Sequence, residues 1–63
     1  MFKIRLGGTN EFLSTIDWKS NECTFVEGWD NPSTLMFLTR EPALDAANAV
    51  WEIEGFHTSL EEI

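Results

Sequence analysis

"EPALDAANAVWEIEG", residues 41 to 55, is the stretch on which the fold turns. It is rich in alanine, Thr39 just ahead of it can cap a helix, Pro42 is tolerated in a first turn, and Gly55 supplies a stop. These signals predict a helix from about residue 40 to 53. At about 100° per residue, Ala43, Leu44, Ala46, Ala47, Val50, Trp51 and Ile53 cover one side, while Glu41, Asp45, Asn48 and Glu52 form a narrow stripe opposite. One face is expected to be core, with Trp51 its largest group, and the other anionic.

Upstream, the pattern changes from helical to period two. "FKIRL", residues 2 to 6, alternates apolar and basic side chains, and Gly7 and Gly8 with Thr9 and Asn10 read as a turn. "FLSTIDW", residues 12 to 18, and "CTFVEGW", residues 23 to 29, read as a hairpin broken by "KSNE". After "DNPS", the apolar run "TLMFLT", residues 34 to 39, fits a central strand, and "FHTSLEEI", residues 56 to 63, alternates as a last strand. The economical arrangement is α+β: an antiparallel sheet of four to five strands packed against one α-helix near the C-terminus, as a single domain over residues 1–63.

A chain of 63 residues buries only about 60% of its unfolded surface, so the core must be thin. Three tryptophans and five phenylalanines offset this, because aromatic rings bury the most area per side chain. A folded monomer or a homodimer is expected. Eleven acidic residues against four basic ones give a net charge of −7, which repels nucleic-acid phosphates and anionic lipid heads. Neither direct nucleic-acid binding nor a membrane role is expected. Residues 41 to 63 carry Glu41, Asp45, Glu52, Glu54, Glu61 and Glu62 with no Lys or Arg. A lone cysteine, Cys23, excludes an internal disulfide, and no secretory or membrane-spanning apolar run is present, so a complete cytosolic product is the expectation.

No constellation for chemistry stands out. His57 is the single histidine and lacks HxxE, CxxC or HExxH spacing, so a surface histidine on a strand is expected rather than a base or ligand. Cys23 has Glu22 beside it and no local cation to favour its thiolate. The helix carboxylates lack the alternating ligands of a calcium loop. No enzyme activity, cofactor or metal is therefore expected. Trp29, within "GWDNPST", either closes the edge of the core, which is the first expectation, or anchors a partner. The stripe Glu41, Asp45 and Glu52 is either a solvated face or a partner surface, and the pair Glu41 and Asp45 repels across one turn.

The order of short strands, an Ala/Leu/Asp helix, then "GF" into "HTSLEEI", resembles small acidic proteins encoded by tailed bacteriophages, over residues 39 to 63. Some of that group bind and block a host protein. The resemblance implies modulation of a host protein through an anionic surface, in the host cytoplasm, and gives no residue a role. The combined expectation is a non-enzymatic binding module. Glu41, Asp45, Glu52 and Trp29 would meet a protein with a basic surface, for instance a nucleic-acid-binding protein whose phosphate site the acids imitate. The alternative is an assembly component that forms a homodimer through its edge strand.

Overall fold

The computed structural model describes residues 1 to 63. Its elements run β1 (Phe2–Leu6), β2 (Glu11–Asp17), β3 (Glu22–Glu27), α1 (Arg40–Glu54) and β4 (Thr58–Glu62). The four strands form one antiparallel sheet in the order β3-β2-β1-β4, with α1 packed on one face. The α+β expectation is met. Gly8 turns β1 into β2 at φ 74°, and Thr9 donates its hydroxyl to the Leu6 carbonyl (2.8 Å). Between β2 and β3, Asp17 accepts from the Lys19 N–H (3.0 Å) and Asn21 takes the left-handed conformation that asparagine tolerates.

A bulge between Leu13 and Thr15 sets the face of β2. Leu13 and Ile16 are three apart, so a regular strand would turn them to opposite faces. Their partners Phe25 and Cys23 are two apart, and the extra residue in β2 brings all four onto the core. Ser14, displaced by the bulge, donates to the Ser33 carbonyl (2.7 Å).

"TLMFLT" does not form the expected fifth strand. β1 and β2 pair only at Arg5↔Phe12, and residues 35 to 37 fill the gap beyond that point. Leu35 N–H bonds to Leu13 of β2 (2.9 Å), while Phe37 and Phe2 of β1 exchange two bonds of 2.8 Å each as an isolated bridge. The segment is held by one strand at one end and by the other strand at the other, so no continuous ladder can develop. Its period-two character survives, because Leu35 and Phe37 pack on the core while Met36 and Leu38 are exposed.

The helix ends close to where the sequence puts them. Thr39 is the N-cap in extended conformation, although its side chain makes no capping bond, and Gly55 closes the C-terminus at φ 73° with its N–H on the Trp51 carbonyl. The buried stripe is Ala43, Ala46, Ala49 and Val50, turned toward Ala49 relative to the expected arc. Leu44 and Trp51 are on the exposed side, and Trp51 is 52% exposed. The expectation that Trp51 is the largest buried group of the helix is corrected here: alanines let the helix approach the sheet closely, and Ile4, Leu13 and Val50 fill the centre instead.

Gly7 marks a close approach. Its N–H donates to the His57 carbonyl (2.8 Å), and a Cβ there would lie 3.0 Å from that backbone oxygen. Gly7→Ala is expected to destabilise by about 1 to 3 kcal/mol, because backbone rather than a mobile side chain must give way. A urea midpoint equal to that of the parent would contradict this packing.

Candidate functional site

The exposed side of α1 collects the features that composition alone left scattered. Between the buried stripe and the acids runs a band with Leu44 and Trp51, and it overhangs the outermost strand, β4. A groove of about 490 Å³ lies there, walled by Arg40, Leu44, Ala47 and Trp51 of α1 and by Phe56, His57 and Leu60. Gly55 ends the helix and directs Phe56 back to the sheet, where its ring meets Phe25 edge-on at 6.3 Å. His57 follows and lies against the Trp51 indole, with centroids 4.7 Å apart and planes tilted by 33°. It is exposed and sits just before β4, not within a strand.

Glu41, Asp45 and Glu52 are all exposed on α1, beyond the Leu44 and Trp51 band. The one ion pair of the molecule is Arg5–Glu61 (2.6 Å), so none of the helix acids has a basic partner. The last turn of α1 contains no basic residue, although Glu52 and Glu54 sit in it. Negative side chains at the negative end of a helix dipole are unfavourable by about 0.3 to 1 kcal/mol each, so this end attracts cations.

Trp29 does not join these acids. The sequence pattern puts it at the end of a strand over residues 23 to 29, but it follows β3, which stops at Glu27, and is 56% exposed. Lys3 precedes Ile4 on β1, so its side chain leaves the face opposite the core cluster. There it donates to the Trp29 carbonyl and places its ammonium 5.4 Å from the centre of the indole. Trp29 thus covers Lys3, which is only 5% exposed and is the one buried charged residue. Sequence reasoning passed over Lys3 because an alternating strand assigns its basic residues to solvent. Trp29 also borders a second cleft of about 270 Å³, together with Arg5, Asn10, Phe12, Glu61 and Glu62. The sheet separates this cleft from the helix acids, so the four expected partner residues are not one site.

Trp18 likewise falls in the turn after β2 and is exposed. No group of three or more His, Cys, Asp or Glu side chains is arranged to hold a metal ion. Cys23 is partly buried on β3, and burial, followed by the negative charge of Glu54, raises its thiol above the ordinary value. A raised pKa means less thiolate at pH 8, so Cys23 is expected to react with iodoacetamide several-fold more slowly than an unfolded control. Equal rates in folded and denatured protein would contradict that environment.

No helix is long and apolar enough to cross a membrane. No protein-family model, curated protein or solved structure matches the chain.

Proposed function

We propose that this protein is a non-enzymatic binding module that grips a basic protein surface with the exposed side of α1. The observation that carries the reading is the juxtaposition of unpaired carboxylates, Glu41, Asp45, Glu52 and Glu54, with a half-exposed tryptophan and leucine on the same helix. The two parts have different duties. Exposed acids set encounter rate and choice of partner, while Trp51 and Leu44 supply the apolar area that slows dissociation. Trp29 is reassigned in this reading from partner anchor to cover for Lys3. The phage-type resemblance of residues 39 to 63 agrees with a target in a host cell. Homodimerisation ranks second, because it brings together two chains of net charge −7.

The test is partner capture from lysate followed by two variants. The combined change Glu41→Gln, Asp45→Asn and Glu52→Gln is expected to leave the melt unchanged, weaken capture about tenfold at low salt and flatten its salt dependence. Trp51→Ala is expected to weaken capture by about tenfold or more while costing only about 1 kcal/mol of stability, since half of the ring is already in water. Capture that ignores the triple change would leave the acids as a solvated face and defeat the proposal.

A further inference from the structure

The outer edge of β4 is open in a regular way. Gly7 donates to the His57 carbonyl (2.8 Å) and Ile63 to the Met1 carbonyl (2.9 Å), framing the register from Leu6↔Thr58 to Phe2↔Glu62. Antiparallel pairs alternate between bonded and non-bonded. Ser59 and Glu61 therefore bond to β1, whereas the backbone N–H and C=O of Thr58, Leu60 and Glu62 point away from it, with no strand beyond. The other edge is treated differently. There the Asn31 side chain donates to the Glu27 carbonyl (3.2 Å), and the bulge in the neighbouring β2 distorts the ladder.

Leu60 and Thr58 also line the groove beneath Leu44 and Trp51, whose helix wall carries Arg40 and Asn48 as well, so backbone partners and a slot of mixed apolar and polar lining lie side by side. A strand laid along β4 would pair with the three open residues and send alternate side chains under the helix. Alternation turns Glu62 to the side of Leu60, and at the strand's end it also borders the Arg5–Trp29 cleft. It is exposed and has no ion pair, so the added strand would place Lys or Arg opposite it. A second copy of this chain fits less well, since it offers Glu62 and a net charge of −7 to the same features.

We infer that the open edge of β4 and the Leu44–Trp51 groove together accept an extended, basic segment of a partner protein by strand addition. This rests on the basic-partner reading above and adds the mode of docking. The probe is the acetylated and amidated heptapeptide KKKVKVK, whose antiparallel register sets its second lysine opposite Glu62 and its two valines opposite Leu60 and Thr58, with a control N-methylated at every internal residue, which keeps the charge and removes the hydrogen-bond donors.

Amide exchange of the labelled protein reads the result. Binding is expected to slow exchange at Thr58, Leu60 and Glu62 about tenfold or more, and the N-methylated control is expected to bind about tenfold more weakly. Glu62→Pro, which removes only an outward N–H, is expected to match that loss, whereas Glu62→Gln should cost about threefold. Equal binding of the two peptides, or binding without protection of those three amides, would overturn strand addition and leave the acidic-face reading standing. Failure of both peptides to bind would also overturn it, while the basic-partner reading stands or falls separately on the triple acid variant. Protection of the same amides without peptide, at twice the monomer mass, would assign the edge to a second copy and reject the basic segment.

Discussion

Leu13→Ala is expected to leave the protein largely unfolded at room temperature. Leu13 is fully buried in a cluster with Ile4, Ala46 and Val50, and Ile16, Phe25, Leu35 and Phe37 are among the residues packed around it. Removing a leucine to alanine at such a site costs about 2 to 5 kcal/mol, the upper values where neighbours cannot collapse. Collapse is restricted here. The Leu13 carbonyl holds the Leu35 N–H, and the bulge beginning at Leu13 fixes which face β2 presents. A single core of this size rarely supplies more than about 3 to 5 kcal/mol, so the substitution removes most of the margin. Circular dichroism and a urea titration would check it. An unfolding free energy within about 1 kcal/mol of the parent would mean that the centre of the core lies elsewhere.

The comparison with Trp51→Ala is informative because size alone ranks the two residues the other way. Trp51 is the larger group, yet it stands at the margin of the helix–sheet contact and stacks on an exposed histidine. Leu13 is smaller and central. Periodicity gave seven positions for the buried side of α1, an arc wider than one close contact with a sheet can cover. Which end of that arc stays wet depends on how the helix rolls on the sheet, and roll is a tertiary quantity. The alanines decide it, since the side bearing Ala43, Ala46 and Ala49 permits the closest approach.

Other features were legible for equally specific reasons. The strands β1 and β4 alternate cleanly, and both hairpin turns carry the residues their backbones require, Gly8 and Asn21 at positive φ. The register of β2 was not legible, because the bulge inserts one residue and breaks the period-two pattern at Ser14. "TLMFLT" kept the period of a strand but not its pairing, which depends on two strands diverging far away in sequence. Of the expected site, the exposure of Glu41, Asp45 and Glu52 follows from helical spacing, whereas their separation from Trp29 depends on which side of the sheet the 28–34 connection crosses. The open backbone of β4 is invisible to any reading of side chains, since it follows from strand order.

Lys3→Met is expected to cost about 2 kcal/mol, with local release of Trp29. Two terms compete. Burying an ammonium is costly, and an apolar replacement of similar shape removes that cost. Against this, Lys3 donates to the Trp29 carbonyl and its charge lies near the face of the indole, while methionine keeps the stem but can do neither. The connection that Lys3 holds has few other ties to the sheet on that side. Asn31 and Thr34 bond mainly within it, and Ser14 reaches it at Ser33. Loss of the lysine should therefore loosen residues 28 to 31 before it melts the sheet. In a Trp18→Phe, Trp51→Phe background, Trp29 fluorescence should shift to the red in Lys3→Met well below the urea midpoint. An unshifted spectrum with equal or greater stability would mean that desolvation of the ammonium outweighs its bond. In that case the lysine would orient Trp29 without stabilising the fold, and the cleft bordered by Arg5 and Trp29 would be held open by Phe12 and the Arg5–Glu61 pair alone.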